Sequence, residues 1–397
     1  MGAGVTTYAY PATERVLYGA GALAGLAEQC DALGARRVAV LTTPSLRGTA
    51  LLDQVVTGLG PRVAGVLDRS VQHVPLATVS EALAEVRALA PDALVTVGGG
   101  SVIDGAKAVA AALGAGFKDA HDLLAHRIEL TPAMTLAFEP LPGTPPPQLA
   151  VPTTLSAAEY DGIFGMTHEH TKGLYADPGL APKVVVLDPA ATRHTPERLW
   201  AASGIRALDH AVEIFLSRSP TPVTDAVALR AVELLAEHLP RTVVPGGGDD
   251  ADRLACQQAS WLSMLGVDNV TLGLCHGIGH QIGARCGVPH GETSCVMLPT
   301  VLAEMVDVTP ARMARLALAL GEPADGRDEP ALAAALPARV RAFVAGLGLP
   351  TTLAEVGVTE ADVPALAKDA VEDFVVAFAP IDVTEADVVR LLHSAMR

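Results

Sequence analysis

Four histidines and one arginine in the second half of the chain stand at spacings that could do chemistry. His276 and His280 are four residues apart in LCHGIGHQIG, so on a helix both point the same way. His290 follows ten residues after His280, beyond Gly287-Val288-Pro289, where a new segment can fold back over the first two. His210 lies upstream in IRALDHAVE, one turn after Arg206. A lone histidine is commonly a hydrogen-bonded structural residue. A group at this spacing points instead to a site that moves protons or holds an ion, because imidazole titrates near neutrality and is a frequent metal ligand.

A second kind of chemistry is signalled at Gly98-Gly99-Gly100-Ser101, between the apolar run ALVTV and the helix-period segment SVIDGAKAVAAAL. Glycines there let the backbone approach a pyrophosphate, and the helix N-terminus offers free N–H groups and a positive dipole. Lys107 would add charge one to two turns in, and Asp104 would orient the first turn. The turn is not the fingerprint G-x-G-x-x-G, and a tight turn that binds nothing is the competing reading. At the end of the preceding strand, Thr42 and Thr43 stand where many dinucleotide folds carry an acidic ribose reader. With no carboxylate there, a 2'-phosphate meets no repulsion, so NADH and NADPH are both expected.

Taken in order, Gly19-x-Gly21, the Gly98 to Ser101 turn with Asp104 and Lys107, Pro152-Thr153-Thr154, Asp188-Pro189, the Gly204 to Glu213 helix and the His276, His280, His290 series resemble the signatures of the iron-containing alcohol dehydrogenase family. The resemblance runs to about Pro299. It implies a dehydroquinate synthase-like architecture, NAD(P)H bound by the first half with Thr153 and Thr154 among the cofactor-binding residues, a homodimer, and a divalent metal in the second half. The implied metal ligands are an Asp one turn before His210, then His210, His276 and His290, with His280 next to substrate.

Here the residue at the first ligand position is Arg206. A guanidinium cannot be deprotonated and repels a dication, which argues against metal. Asp209, about 100° round the helix from His210, is a poor substitute and is better placed as an i,i+3 partner of Arg206. His290-Gly291-Glu292-Thr293 and Pro152-Thr153-Thr154-Leu155 with Glu159 resemble the maleylacetate reductase branch, regarded as metal-free. Ala157-Ala158 and Tyr160-Asp161-Gly162 depart from that branch where substrate should sit. The expected activity is a metal-independent NAD(P)H-dependent reduction of an unsaturated or oxo carboxylic acid. Arg206 would anchor a carboxylate or enolate oxygen, His280 first and His276 second would donate the proton, and His210 and His290 would orient substrate. An internal salt bridge is the competing role for Arg206. A metal-dependent alcohol or polyol dehydrogenase, and a non-redox lyase or cyclase on the same scaffold, are the alternative functions.

The elements that must position these groups follow from patterning. VAVLTT, ALVTVGGGS, LAVPTT and VVVLDP read as buried strands alternating with helices such as VSEALAEVRALA, the pattern of a parallel, Rossmann-like sheet. After Pro189 helical periodicity takes over, in PERLWAASGIRALDHAVEIFLS and TDAVALRAVELLAEHLP. The division expected is an α/β nucleotide-binding domain over 1–190 and an all-α catalytic domain over 191–397. The Pro-rich stretch between Phe117 and Gln148 reads as a surface excursion.

Composition bounds the rest. Of 397 residues half are hydrophobic, enough for two cores, and a net charge of -16 disfavours nucleic acid and anionic membranes as partners. A small molecule is the expected partner. Five cysteines without a Cys-x-x-Cys pair, no leader-like start and no uninterrupted apolar run of about 18 residues lead to a cytoplasmic expectation.

Overall fold

The computed structural model describes residues 7–10, 12–131, 133, 135–169 and 171–397. The first six residues, on which part of the leader reading rests, lie outside these.

The first half carries β1 (Arg15–Tyr18), β2 (Val38–Leu41), β3 (Val63–Leu67), β4 (Ala93–Gly98), the short pair β5 (Glu129–Leu130) and β6 (Leu136–Ala137), then β7 (Gln148–Pro152), β8 (Ile163–His168), β9 (Thr171–Ala176) and β10 (Val184–Leu187). Six of them form one sheet in the order β1-β10-β7-β4-β2-β3, and every pairing is parallel. The strands are runs of Val, Leu and Ala because both faces are covered, as in parallel sheets generally. The covering helices are α1 (Leu26–Ala32), α2 (Ala50–Leu59), α3 (Leu76–Leu89) and α4 (Gly100–Gly114). Two separate apolar clusters result, one with Leu83, Val102 and Val109 and the other with Leu26, Leu52 and Leu149.

From β2 the chain steps outward to β3 and then returns to β4 on the other side of β2. That reversal opens a crevice at the carboxyl ends of β2 and β4, where open α/β sheets bind ligands. The Gly98 to Ser101 turn and Thr43 both lie at this edge.

The second half is helical: α5 (Glu197–Phe215), α6 (Pro222–Thr242), α7 (Asp250–Met264), α8 (Leu274–Cys286), α9 (His290–Met305), α10 (Pro310–Ala319), α11 (Glu329–Gly346), α12 (Val363–Val371), α13 (Phe374–Ala377) and α14 (Glu385–Ala395). Its core is continuous, centred on Trp200, Leu208, Phe215, Leu235 and Met297. Helix α5 is buried almost all round, from Trp200 to Phe215. A helix so enclosed places its polar residues against other elements, and Ser203, Arg206, Asp209, His210 and Glu213 are those residues. No helix is long and apolar enough to cross a membrane among the described residues.

Between the two halves lies an antiparallel hairpin of β8 and β9, tied to α4 and α8. The alternating reading of the first half does not anticipate it, because its residues, IFGMTH and TKGLYA, mix glycine and charge with few β-branched positions. The excursion from Phe117 to Gln148 holds a 3-10 turn at Ala120–His126 and the β5–β6 pair.

Candidate active site

At the crevice, Gly99 precedes α4 and no side chain caps the helix. An added Cβ at Gly99 would lie 2.9 Å from Thr154 Oγ1, and one at Gly100 would lie 3.0 Å from Ser156 Oγ. The glycines are therefore required by close approach of the segment after β7, which Thr153 N fixes by donating to the Gly98 carbonyl at 3.0 Å. Thr154 Oγ1 and Ser156 Oγ are buried without hydrogen-bond partners. An uncapped helix start facing buried, unpartnered hydroxyls fits an anionic, hydroxyl-rich nucleotide. Ser101 lies in the first turn of α4, and Thr43 Oγ1 pairs only with Ser45 Oγ, at 2.8 Å, leaving no carboxylate at the end of β2. Thr42 is structural: its hydroxyl donates to the Val97 carbonyl at 2.8 Å.

Lys107 does not lend its charge to the turn. Its ammonium is fully buried and donates to Asp161 Oδ1 (2.8 Å), the Ala158 carbonyl (2.6 Å) and the Ile163 carbonyl (2.7 Å), which uses all three N–H bonds. Asp104 lies 3.5 Å from the same ammonium, and burial raises its pKa. Lys107 thereby pins α4 to the loop ahead of β8, with Asp104 beside it on the same helix. In that loop Ala157 takes a left-handed φ of 61°, a conformation glycine adopts freely. Glu159 is buried beside it, and burial pushes its pKa up to about 8.

The histidines are brought together by α5, α8 and the start of α9. Ring centroids are 4.8 Å apart for His210 and His276, 6.5 Å for His276 and His280, and 6.0 Å for His280 and His290. His276 Nδ1 lies 2.6 Å from Glu213 Oε2, and the same carboxylate accepts from Gly273 N at 2.8 Å and Cys275 N at 2.7 Å. Glu213 thereby fixes the start of α8 and the His276 ring, leaving Nε2 buried and unpartnered. His280 Nδ1 lies 3.0 Å from Asp373 Oδ2, which also accepts from Gln281 Nε2 at 3.1 Å, while Asp373 Oδ1 caps α13 through Val375 N. This directs His280 Nε2 away from Asp373. Burial lowers the pKa of all four histidines, well below the usual value for His210, His276 and His290.

Arg206 Nη1 donates to Asp209 Oδ2 at 3.2 Å and Ser294 Oγ at 3.1 Å, and Ser294 Oγ donates to Asp209 Oδ2 at 2.7 Å. The i,i+3 ion pair thus forms, with Asp209 fully buried. Burial raises the pKa of Asp209, while burial and neighbouring Asp209 push Glu213 up to about 8.

Sequence reasoning misses Lys172. It reaches from β9 to His290, Nζ to Nε2, at 2.7 Å, joining the sheet half to the helical half. An ammonium has only donors, so His290 Nε2 accepts and its remaining proton is on Nδ1. Burial first, with the Arg206 charge, brings the Lys172 pKa down to about 8, against the pull of Asp104 and Asp373. No spacing rule links Lys172, Asp373 or Ser294 to the histidines. Glu213 alone carries a signal, three residues after His210 on one helix face.

These residues do not make the four-ligand metal set that the resemblance implies, since a guanidinium stands at its first position. Asp209, Glu213 and His276 do bring candidate ligand atoms within 4.8 Å of one another. Asp209 Oδ2, both Glu213 oxygens and His276 Nδ1 are engaged by Arg206, Ser294, two backbone N–H groups and each other, which leaves Asp209 Oδ1 and His276 Nε2 buried without partners, and a dication there would sit beside the guanidinium.

Comparison with known proteins agrees with this fold. Residues 13–189 match the family model for iron-containing alcohol dehydrogenase, and residues 200–396 match that for the C-terminal part of the Fe-containing alcohol dehydrogenase family. The long-chain-alcohol dehydrogenase 1 of Geobacillus thermodenitrificans is 33% identical over 95% of this chain and 94% of its own. Maleylacetate reductase 2 of Cupriavidus pinatubonensis is 34% identical over 81% of this chain and 80% of its own. The solved structure of a 1,3-propanediol oxidoreductase superposes with a TM-score of 0.89, at 28% identity, over 98% of this chain and all of the other. The fold is thus shared over nearly the whole chain, and the chain belongs to the iron-containing alcohol dehydrogenase family, whose members are oxidoreductases.

Proposed function

We propose that the chain is a metal-independent NAD(P)H-dependent reductase of an unsaturated or oxo carboxylic acid, similar in activity to maleylacetate reductase. The observation that carries this reading is the pair of cations, Arg206 and Lys172, set among the histidines at the family's metal position. Residues 1–190 would hold the nucleotide at Gly98 to Ser101, Thr43, Thr153 and Thr154, with either NADH or NADPH accepted because no acid faces the 2' position. A reduced nicotinamide, when bound, supplies hydride.

The side chains of residues 191–397 supply the rest. Arg206 anchors a substrate oxygen and neutralises the negative charge that develops on it, work a Lewis acid does in metal-dependent relatives. His280, oriented by Asp373, donates the proton from Nε2, with His276 as the second candidate and His210 and His290 as walls of the site. A carboxylate held against two fixed cations binds through charge-assisted hydrogen bonds. A plain alcohol offers them nothing comparable.

Metal analysis of the purified protein, paired with NADH and NADPH binding, tests the reading on wild type and Arg206→Asp. The expected outcome is cofactor binding by both and metal in Arg206→Asp alone. Stoichiometric metal in wild type overturns it in favour of an alcohol or polyol dehydrogenase. Absence of any nicotinamide binding points to a lyase or cyclase on this scaffold.

A further inference from the structure

The row of histidine rings does not stop at His290. His73 meets it edge-on, with centroids 5.2 Å apart and planes at 86°, so five rings touch in succession from His210 to His73. His73 comes from the sheet half, on the segment between β3 and α3. The same segment, through Arg69, Ser70 and Val71, lines a cleft with Leu41, Ser101 and Gly105 beside the glycine turn. One stretch of chain therefore borders both the nucleotide crevice and the histidine row.

Three features mark His73 as shaped for a ligand. His73 and Val74 both adopt left-handed backbone, with φ of 65° and 49°, which a branched side chain such as valine resists. Thr167 of β8 holds them there: its Oγ1 donates to the His73 carbonyl at 2.9 Å and its N–H to the Val74 carbonyl at 3.1 Å. Strain maintained in this way is characteristic of functional segments. Neither ring nitrogen of His73 has a partner in good hydrogen-bond geometry, although both are shielded from water and the Gly287 backbone lies close enough to act weakly on the ring. An apolar side chain would fill the same space without that cost. Finally, helix α8 makes room, because a Cβ at Gly283 would lie 3.0 Å from His290 Cε1 and 3.3 Å from His73 Cε1.

Resting on the reductase reading above, we infer that His73 is a substrate-contacting residue that sets specificity, its ring N–H donating to an oxygen of the acidic group that Lys172 also holds. Burial and the nearby Lys172 charge keep the His73 pKa below the ordinary histidine value, so the ring is neutral and presents one donor and one acceptor. The Lys172 ammonium has three N–H bonds and His290 takes one, leaving the others for the same group.

Calorimetric titration of the full chain with maleate, a small unsaturated acid, tests this on wild type, His73→Phe and His73→Gln, with melting temperature recorded for each. The expected result is about a tenfold weaker Kd for His73→Phe, recovered to within about threefold by the donor-retaining His73→Gln, and a melting temperature for His73→Phe no lower than wild type. Equal affinity of wild type and His73→Phe overturns the inference. So does failure of wild type to bind maleate, or equal loss in both variants together with a lowered melting temperature. A wild type that binds maleate through His73 yet oxidises neither NADH nor NADPH with any oxo or unsaturated acid overturns the reductase reading while supporting this one.

Discussion

The Arg206 guanidinium has five N–H donors, and its protein hydrogen bonds run through Nη1 to Asp209 and Ser294. It is the counterion of a buried carboxylate, and its other N–H groups make no hydrogen bond among the described residues. Arg206→Met should therefore cost about 3–5 kcal/mol of stability, read by urea denaturation, because it strands the Asp209 charge. Lys172 gives a pH signature. With its pKa near 8, the ammonium is charged below that pH and loses its charge above it, so KM for an acidic substrate should rise above pH 8 in wild type. KM should stay flat in Lys172→Met over the same range. Asp373→Asn should lower kcat about 10–100-fold with little change in KM, since it removes the acceptor that orients His280 rather than a contact to substrate. Much of this site is legible in the sequence, because residues four apart on a helix must share a face. Lys172, Asp373 and His73 are not, because they join the histidines only through tertiary contacts between segments up to 217 residues apart (His73 to His290).

At the scale of elements, the strands around 38–43, 93–101, 149–154 and 184–189 and the long helices announce themselves by short Val-rich apolar runs and by helical periodicity. Their ends come out two or three residues earlier, at Leu41, Gly98, Pro152 and Leu187, where turn geometry takes over. The β8–β9 hairpin stays hidden because its alternation is broken by Gly165 and Gly173. Gly165 is there for a reason visible only in three dimensions: a Cβ would strike the Lys172 side chain. Lys107 is the other element-level device, a buried cation whose three acceptors tie α4 to the loop from Ala158 to Ile163. Lys107→Met should leave Asp161 buried without its partner and lower stability by about 3–5 kcal/mol in chemical denaturation.

For the whole molecule, among the described residues the sheet ends on β1, which pairs there with β10 alone. Arg15 N and Gly19 N donate inward to Lys183 and Leu187, so by alternation the N–H groups of Val16 and Tyr18 point outward. An unpaired edge of this kind is a template for a second chain, which is how we read the expected homodimer. Val16→Pro removes an outward donor without touching the inward ladder and should yield monomer in sedimentation velocity, whereas an unchanged sedimentation coefficient would remove this edge from the interface.

The ammonium that crosses from β9 to the first residue of α9 also limits how freely the two halves can be recombined with those of relatives. A chimera carrying this helical half on a foreign sheet half would fold whenever the seam packs, yet it would inherit the proposed chemistry only if the incoming hairpin brought a lysine at the same register. Compatibility of the parts thus depends on polar contacts across the seam, of which the Lys172–His290 pair is one.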